Sequence, residues 1–488
     1  MGLNVAQLVL ERARLQAASP AIITHDQIIT YGRLGVAVGV MARHLREHGV
    51  VPGQVIGVSM AQNPLHVITL LALAQVGAVA LPLHVAVPAQ RRLLSAQRFG
   101  ATCIVSGRDE MALPGLPFIS IANVSFDGSS IPPDTEIYPV TVDTPFRIAI
   151  SSGTSGDPKG MIFTHQLMKN RNQRGEPGLT GRSRVIPGDL NFYIGFGPTF
   201  RALALGACLV FPRSATPEHL HATVISQAVT HLTLSPAQVS GITGLFAVSV
   251  INWPSVVSLR VGGGPMSHAL FNTVRTRLTP NVHAGYGSTE SGVVAFAAPE
   301  VLEQQSACVG HVADWAKVEI VDEDDHPLPA GEIGLLRIRS EDQVSGYLLN
   351  DELNRKHFRD GWFYPGDLGR FDEKGWLYIE GRADDQLNIG GLKVNPEDID
   401  AELASHPNVI EAGAFVFPGE EGAEALAIAM VLREGTSLDD IRDHARVKLG
   451  PLAPTQYFVV LSLPRTITGK LRRAELSARF SAVDGLPS

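Results

Sequence analysis

Short apolar segments alternate with helical patterns along the first third of the chain. Residues 55–59, 79–82 and 101–105 are apolar and have the length of strands, and helical patterns lie between them. Another helical pattern begins after Thr30, a good capping residue, and ends near Gly49. Strands that alternate with helices usually pair in parallel, with the helices on the faces of the sheet. The alternation therefore predicts an α/β fold of parallel sheets flanked by helices, continuing to about residue 330.

The pattern changes in the last third of the chain. Residues 331–380 carry closely spaced short strands, which predict a small antiparallel section resembling a β-barrel. After a polar stretch, Asn395 and Pro396 are followed by two acidic residues, a combination typical of a helix start. At 488 residues the chain also exceeds what one hydrophobic core usually holds. We therefore expect an N-terminal domain at 1–381, a hinge at 382–386 and an α+β C-terminal domain at 387–488.

Composition and charge argue against several function classes. Hydrophobic residues make up 45% and charged residues 18% of the chain, which is a globular composition. The formal net charge is −8 and the basic residues are scattered, so we expect no nucleic-acid partner. We expect no membrane span, because no uncharged apolar run is long enough, and the first residues lack the order of a signal peptide. Three scattered cysteines favour neither a disulfide framework nor a zinc site, so we expect a cytoplasmic protein.

A segment rich in glycine and hydroxyl groups follows the apolar strand at 146–150. Residues 151–160 have the sequence SSGTSGDPKG, which is not a Walker A motif. The glycines expose backbone N–H groups, the hydroxyls add donors, and Lys159 adds a positive charge, a combination that suits a polyphosphate. Taken alone, the segment is equally consistent with a flexible surface loop.

A second segment, GYGSTE at 285–290, places a tyrosine between two glycines. The ring of Tyr286 offers a face on which a base can stack, and the glycines let the backbone come close. Thr289 can meet a phosphate, and Glu290 can hold a magnesium ion. An ordinary turn that ends in a solvated glutamate has the same composition, so both interpretations stay open for this segment alone.

Two shorter signals lie nearer the C-terminus. Asp367 follows Gly366, and Arg382 lies fifteen residues further on. An aspartate can accept hydrogen bonds from the vicinal hydroxyls of a ribose, although an ordinary turn aspartate has the same appearance. Lys470 closes the segment PRTITGK at 464–470, where a lysine alone is usually a solvated surface charge.

The order and spacing of these segments make the chain similar to one family along nearly its whole length. The matching pieces are SSGTSGDPKG at 151–160, GYGSTE at 285–290, GD at 366–367, GRADDQLNIGGLKVNPEDID at 381–400 and PRTITGK at 464–470. Weaker matches are GAVALPLH at 77–84, GGGP at 262–265 and parts of 331–350. The chain resembles the acyl-adenylate-forming (AMP-binding) superfamily, which includes acyl-CoA synthetases, adenylation domains of peptide synthetases and firefly luciferase.

The resemblance implies a role for each matching residue. Glu290 would bind magnesium, and Lys470, Glu290 and Thr154 would form the catalytic set. Tyr286 would stack on adenine, and Asp367 would hold the ribose hydroxyls with help from Arg382. The residues that would bind ATP are Ser151, Ser152, Gly153, Ser155, Gly156, Lys159, Gly263, Gly264, Tyr286, Gly287, Ser288, Thr289, Asp367 and Arg382.

The resemblance also implies the reaction and its cofactors. A carboxylic acid would react with ATP and Mg²⁺ to form an acyl-adenylate and pyrophosphate, and the acyl group would then pass to coenzyme A. A mobile C-terminal domain would rotate between these steps about Asp384, which would remove Lys470 from the site. Two alternatives are an adenylation enzyme that loads a separate carrier protein and, more remotely, a non-catalytic nucleotide-binding protein. No carrier segment follows Lys470, so we expect the thiol on another molecule.

Three departures from the family limit what the resemblance implies. Pro365 stands where Ser or Thr is usual, and Asn388 stands where many relatives carry a lysine associated with the second half-reaction. The segment before Gly206 lacks the Phe-Asp pair that holds an α-amino group, so an α-amino acid substrate is not expected.

The acid itself is only weakly indicated by the sequence. Asn191, Phe192 and Tyr193 are candidates for the acid pocket, because relatives that activate hydroxybenzoates use an asparagine near this position. The aromatic residues here are equally consistent with core packing. The sequence does not decide between an aryl and an aliphatic acid, and it does not indicate an oligomeric state.

Overall fold

The structure is a computed structural model. It describes residues 2–126, 133–152, 158–245, 251–262, 266, 268–305, 307–383, 387–389, 392–418, 424–466 and 470–481.

Most of the α-helices begin at or directly after a polar residue or a proline, and the helix Tyr193–Leu205 is the exception among those described. They are α1 (Val5–Leu15), α2 (Tyr31–Glu47), α3 (Pro64–Val76), α4 (Ala89–Arg98), α5 (His165–Gln173), α6 (Tyr193–Leu205), α7 (Pro217–Ser226), α8 (Pro236–Leu245), α9 (His268–Arg277), α10 (Pro299–Gln304), α11 (Asp351–His357), α12 (Pro396–Ala404), α13 (Leu438–Leu449) and α14 (Arg473–Ser481).

The strands fall into four sheets. They are β1 (Pro20–Ile23), β2 (Ile28–Thr30), β3 (Val55–Val58), β4 (Val79–Pro82), β5 (Ala101–Ser106), β6 (Phe118–Ser120), β7 (Pro145–Ser152), β8 (Pro158–Thr164), β9 (Arg184–Ile186), β10 (Cys208–Val210), β11 (His231–Leu234), β12 (Ser258–Val261), β13 (Val282–Ser288), β14 (Gly292–Ala297), β15 (Cys308–Val312), β16 (Ala316–Val321), β17 (Gly334–Ser340), β18 (Phe358–Arg359), β19 (Trp362–Phe363), β20 (Asp367–Phe371), β21 (Leu377–Arg382), β22 (Leu387–Ile389), β23 (Leu392–Val394), β24 (Val409–Pro418), β25 (Glu424–Leu432) and β26 (Gln456–Val459).

A six-stranded sheet contains the strands predicted in the first third of the chain. Its order is β6-β5-β3-β4-β7-β8, and every described pair is parallel except β7 with β8. Its connecting helix α3 is buried along nearly its whole length. That helix begins where Asn63 accepts a hydrogen bond from the His66 N–H and ends at Gly77, which has φ 85°. The predicted alternation of strand and helix is confirmed here, because the caps and apolar runs that encode it are local features.

The largest sheet changes from parallel to antiparallel strand pairing along its width. Strands β1, β10, β9, β11, β12 and β13 pair in parallel. Beyond β13 the pairs are antiparallel, through β14, β15, β21, β20 and β17. The antiparallel section expected from residue 331 onward is therefore present, and it starts earlier, at β13. In the described part of the chain its pairings follow an open path along the large sheet.

Residues from 387 onward have hydrophobic cores of their own. Two apolar clusters contain residues of this region alone, and β24, β25 and β26 form their sheet. The predicted helix start is confirmed, because Asn395 caps α12 and accepts a hydrogen bond from the Glu397 N–H at 3.1 Å. These separate cores support the expected C-terminal domain. Residues 384–386 of the expected hinge lie outside the described residues. Across the described helices, none combines the length and the apolar character that a membrane crossing needs.

Candidate active site

The glycine- and hydroxyl-rich segment joins the strands of a hairpin. Ser151 of β7 lies opposite Lys159 of β8, one residue pair before the connecting loop. The carbonyl of Gly160 accepts a hydrogen bond from the Leu348 N–H at 2.7 Å, which fixes a second segment of chain beside the hairpin. The loop residues predicted to bind phosphate, namely Gly153, Thr154, Ser155 and Gly156, and the side chain of Ser152 lie outside the described part of the chain.

A tight turn after β13 presents Glu290. The hydroxyl of Ser288 accepts hydrogen bonds from the backbone N–H groups of Glu290 and Ser291, each at 3.1 Å. Gly287 tolerates no side chain, because a Cβ there would lie 2.1 Å from the carbonyl oxygen of Gly292. Hydroxyl-to-backbone bonds of this kind close turns without a regular ladder. The serine in GYGSTE therefore builds the turn, and the glycine permits the close pairing of its two strands.

The carboxylate of Glu290 contacts Tyr347, and Tyr347 in turn lies beside Lys159. It is 7% exposed and accepts a hydrogen bond from the hydroxyl of Tyr347 at 2.9 Å. The ammonium of Lys159 lies 5.2 Å from the centre of the Tyr347 ring. Asn354 holds the backbone of Tyr347 through two hydrogen bonds, at 2.7 and 2.9 Å. Tyr347 thus joins the predicted phosphate-binding lysine to the predicted magnesium-binding glutamate.

A second group of predicted residues also comes together. The hydroxyl of Tyr286 donates a hydrogen bond to one oxygen of Asp367, and Arg382 donates to the other at 3.1 Å. Arg382 also donates to the carbonyl of Pro365 at 3.2 Å. Asp367 and Arg382 stand opposite each other on the neighbouring strands β20 and β21. Residues from three strands, β13, β20 and β21, therefore form one chain of hydrogen bonds.

The two groups share one electrostatic environment. Burial raises the pKa of Tyr286 well above its ordinary value, and the negative charges of Asp367 and Glu290 add to this effect. Burial and the charge of Glu290 likewise raise the pKa of Tyr347. Arg382 opposes the rise at both tyrosines, so it lies close enough to act on each. Both phenols stay protonated at neutral pH, and each donates its proton to a carboxylate.

Arg171 of α5 supports the backbone of the Glu290 turn. Its side chain is buried and donates to the backbone carbonyls of Thr289 at 3.1 Å and Glu290 at 3.2 Å. Its guanidinium also lies 4.5 Å from the centre of the Tyr193 ring. A buried guanidinium that binds carbonyl oxygens fixes the backbone they belong to. Arg171 therefore holds the turn of Glu290 and contacts a residue of the candidate acid pocket.

The three candidate acid-pocket residues lie at the start of α6. Asn191 is 4% exposed, and its side-chain amide donates to Asp189 at 2.8 Å. The ring of Phe192 lies 5.9 Å from the ring of His84, and Tyr193 packs against Phe163 and Phe196. Asn191 therefore lies beside the Asp189 carboxylate and Phe192 beside the His84 ring, whereas the ring of Tyr193 packs partly into the core.

The remaining predicted residues are placed elsewhere or not described. Lys470 is exposed, and its backbone N–H and carbonyl bond to Thr466, which closes the loop of that segment. Within the described residues, no hydrogen bond or ion pair joins the Lys470 ammonium to Glu290 or Asp367. The predicted residues Gly263, Gly264 and Asp384 and the side chain of Asn388 lie outside the described residues.

Two contributors to this site were missed by the sequence analysis. Tyr347 lies in the weaker family match at 331–350, so a signal existed, but nothing local connected its hydroxyl to Glu290. No feature of the sequence indicated a role for Arg171, because a single arginine on a polar helix is usually solvated. Its burial depends on the aromatic residues that α6 and β8 bring beside it.

The site suits a magnesium ion whose ligands come largely from the phosphates of the enzyme's substrate. Among the described residues, no cluster of three or more His, Cys, Asp or Glu side chains could hold a metal ion. Magnesium commonly binds through one or two carboxylates together with substrate phosphates and water. A single buried carboxylate beside the expected phosphate site therefore fits such an ion, and Glu290 is the residue that would hold it.

Known proteins resemble this chain along nearly its whole length. Residues 9–348 match the family model described as AMP-binding enzyme, and residues 398–470 match that of the AMP-binding enzyme C-terminal domain. The 2-succinylbenzoate–CoA ligase of Bacillus licheniformis is 26% identical, over 96% of this chain and 98% of that protein. A linear gramicidin synthase protein of Brevibacillus parabrevis is also 26% identical, over 99% of this chain, which spans only 6% of that protein.

A solved structure resembles the fold closely. The crystal structure of an anthranilate CoA ligase in complex with anthranoyl-AMP superposes with a TM-score of 0.89 at 22% identity. The match covers 98% of this chain and 97% of that one. The fold, the two family models and the grouping of Lys159, Glu290, Tyr286 and Asp367 agree. The chain belongs to the AMP-binding enzyme family.

Proposed function

We propose that this protein is an AMP-forming ligase that joins a carboxylic acid to the thiol of coenzyme A. It activates the acid with ATP as an acyl-adenylate and then transfers the acyl group. The observation that carries the proposal is the gathering of Lys159, Tyr347 and Glu290 beside Tyr286, Asp367 and Arg382. A site with a cationic part and an acidic, aromatic part fits a nucleoside triphosphate, which has a polyanionic end and a sugar–base end.

The nucleoside would bind along the second group. Asp367 would exchange its bonds to Tyr286 and Arg382, wholly or in part, for bonds to the ribose hydroxyls. Tyr286 would offer its ring to adenine, beside Gly263 and Gly264. Gly287, Ser288 and Thr289 would bring backbone and hydroxyl groups near the phosphates. The low exposure of Asp367, at 15%, favours hydrogen bonds that compete well with water.

The phosphates would bind at the first group and at the loop between β7 and β8. Ser151, Ser152, Gly153, Thr154, Ser155 and Gly156 would surround them, and Lys159 would add a positive charge. Magnesium, held by Glu290, would neutralise phosphate charge. Tyr347 keeps the Glu290 carboxylate oriented, because its protonated hydroxyl donates to that group.

The first half-reaction forms a mixed anhydride. One oxygen of the substrate carboxylate attacks the α-phosphorus, the bond from that phosphorus to the bridging oxygen breaks, and pyrophosphate leaves with the bonding electrons. The carboxylate and ATP are both anions and repel each other as they approach. A lysine near both lowers the energy of this repulsion. Lys470 is the residue we assign to this task.

The second half-reaction transfers the acyl group. The thiolate attacks the carbonyl carbon of the adenylate, the bond to the phosphate oxygen breaks, and AMP leaves. Rotation of the C-terminal domain about Asp384 would withdraw Lys470 and bring in the segment around Asn388. The exposed position of Lys470 and the separate C-terminal cores support a domain that moves as a unit.

A second candidate function is the loading of a separate carrier protein. The match to a short part of the linear gramicidin synthase protein favours this candidate, since the similar region there is one piece of a longer chain. Both candidates share the adenylation step and differ in the thiol acceptor. A cytoplasmic location suits either candidate.

A panel of carboxylic acids with ATP and magnesium tests the proposal. Pyrophosphate release is measured with and without coenzyme A, and the thioester product is identified by mass. We expect an acid that supports pyrophosphate release and, with coenzyme A, a stoichiometric thioester and AMP. Adenylate formation without any thioester would favour the carrier-protein candidate, and ATP binding without turnover on any acid would contradict both.

A further inference from the structure

A polar face lies inside the largest sheet. On β11, β12 and β13 the residues Leu232, Leu234, Leu259, Val261 and Val282 pack into one apolar core. Side chains alternate along a strand, so the intervening residues face the opposite side. In register across the strands stand Thr233, Arg260 and His283. Parallel strands are usually apolar on both faces, so this polar row requires an explanation.

Charged groups from two other elements cover this row. Glu176, in the segment after α5, pairs with Arg260 at 2.8 Å and with Arg201 of α6 at 3.2 Å. The three side chains are only 11%, 13% and 10% exposed. We name Glu176, Arg201 and Arg260 the Arg260 cluster. It holds two guanidinium groups and one carboxylate, which leaves one positive charge without a counter-charge inside the cluster.

The neighbouring histidines do not supply that counter-charge, and Glu300 of α10, whose charge acts on His283, forms no ion pair with either guanidinium among the described residues. Burial lowers the pKa of His231 and of His283, so both rings are neutral near pH 7. Thr233 and Ser258, the other polar residues of this face, are uncharged. An unbalanced charge in a mostly buried position is costly unless an anion joins it.

Arg260 has hydrogen-bonding capacity to spare. Arg201 also donates to the carbonyls of Gly175 and Arg171, at 3.1 and 2.8 Å, which fixes it to the fold. Among the described residues, Glu176 is the one ionic partner of Arg260, and the buried Nε of Arg260 has no hydrogen-bond partner. A guanidinium presents several donors in one plane and suits a carboxylate in two-point contact.

The position of the Arg260 cluster connects it to the candidate active site. His283, the register partner of Arg260, lies two residues before Gly285, about 7 Å along the strand. Tyr286, which bonds to Asp367, comes next in the chain. A small cleft is lined by two members of the cluster, Glu176 and Arg201, and by Thr233, the register partner of Arg260. Ile194, Pro198 and His231 also line it. Ile194 directly follows Tyr193 of the candidate acid pocket.

We propose that Arg260 forms the far end of the acid pocket and selects acids that carry a second anionic group, such as a carboxylate, away from the reacting one. This inference rests on the proposed function, because it names the substrate class of the same site. Glu176 and Arg201 hold the guanidinium in place, and the unbalanced positive charge supplies the attraction.

Matched pairs of acids test the inference. Each pair shares a carbon skeleton and differs by one distal carboxylate: succinate and butyrate, adipate and hexanoate, sebacate and decanoate, terephthalate and p-toluate. The readout is kcat/KM in acid-dependent ATP–pyrophosphate exchange. For at least one pair we expect the kcat/KM of the diacid to exceed that of the monoacid by about 10-fold or more, because hydrogen bonds to a charged group change an affinity by about that factor.

Variants separate recognition from stability. Arg260→Met should lose the diacid preference, by about 10- to 100-fold, while the matched monoacid keeps its rate. Arg260→Lys should restore part of the preference. Glu176→Gln removes the counter-charge and should increase the preference, which tests the inference even if Arg260→Met fails to fold. Arg275→Met is the control, because Arg275 of α9 forms an exposed ion pair with Glu303 of α10.

The outcomes distinguish this inference from the proposed function. Exchange that is equally fast with both members of every pair would overturn the inference and leave the proposed function standing. Equal losses for both members in Arg260→Met, with a normal unfolding temperature, would also overturn it. Failure of every acid to support exchange in the wild type would overturn the proposed function and the inference with it.

Discussion

The hydroxyl of Tyr347 donates a hydrogen bond to the carboxylate of Glu290 at 2.9 Å. The two residues are 57 positions apart in sequence, and the same tyrosine ring lies 5.2 Å from the ammonium of Lys159. Tyr347 therefore orients the acidic group and contacts the basic group of the proposed phosphate site. Its own backbone is fixed by Asn354, so the arrangement is held before any ligand binds.

The Tyr347→Phe variant tests this relationship. It keeps the ring beside Lys159 and removes only the hydrogen bond to Glu290. We expect the magnesium concentration for half-maximal adenylation to rise by about 10-fold, because a hydrogen bond to a charged group is worth about 1.5 kcal/mol or more. The measurement is the initial rate of pyrophosphate release against magnesium concentration.

Tyr364→Phe is the matched control for that experiment. Its hydroxyl also donates to a carboxylate, that of Asp325 at 3.1 Å, but its ring belongs to a separate small apolar cluster. The control should keep the wild-type magnesium requirement. Equal magnesium requirements in wild type and Tyr347→Phe would remove Tyr347 from the metal site.

Asp367→Ala tests the nucleotide site. The variant should raise the KM for ATP by about 10- to 100-fold and change the KM for the acid far less, because the proposed partners of Asp367 are ribose hydroxyls. Replacing Tyr286 with Leu should have a milder effect, since adenine can still bury part of its face. Asp439→Ala, at an exposed helix start, is the control. An unchanged KM for ATP in Asp367→Ala would contradict the assignment.

Local features of the sequence predicted much of the fold. Thr30 and Asn395 cap helices where the sequence indicates, because a capping side chain bonds to a backbone N–H only two or three residues away. The predicted strands of the first third are present for a similar reason, since short apolar runs between turn residues encode them. The earlier start of the antiparallel section at β13 was not predicted, because strand direction depends on pairing with distant chain segments.

The candidate site was predicted in part. Motifs identified Glu290, Asp367, Tyr286 and Lys159, and the structure brings these four together. Tyr347, Arg171 and Arg260 were not singled out, because each acts through a partner dozens of residues away. Burial decides their roles, and a single sequence does not state which arginine or tyrosine becomes buried.

Two buried histidines predict how stability depends on pH. Burial lowers the pKa of His66 to about 3 and of His165 to about 4, and Nδ1 of His165 accepts a hydrogen bond from the Val5 N–H. In the unfolded chain both pKa values return to about 6.5, so the unfolded state binds more protons between about pH 4 and 6.5. Folding stability should therefore fall as the pH drops below about 6.5, by up to about 1.4 kcal/mol per pH unit for each histidine.

Urea unfolding midpoints at several pH values between about 5 and 7.5 check this expectation. His66→Gln and His165→Gln should each flatten the dependence below about pH 6.5, even if they lower the midpoint at about pH 7.5. His25→Gln, whose side chain is 60% exposed, should leave the slope unchanged. A slope that is the same in all four proteins would show that these histidines do not titrate on unfolding.

Asp384→Pro tests the proposed hinge. Rotation of a domain requires large φ and ψ changes at very few residues, and proline fixes φ. If the variant is held in the adenylation orientation, pyrophosphate exchange should persist while thioester formation collapses. A folded variant that keeps both half-reactions near the wild-type rates would remove Asp384 from the mechanism.

Lys470→Ala provides the most direct measurement of the central claim, that one lysine serves only the first of two half-reactions. ATP–pyrophosphate exchange and thioester formation from a supplied acyl-adenylate are measured separately, with Lys448→Ala, another C-terminal lysine, as the control. We predict that Lys470→Ala slows exchange by about 10²- to 10³-fold, as expected for the loss of one charge-stabilising group, and leaves thioester formation near the wild-type rate. Equal losses in both half-reactions would contradict the account.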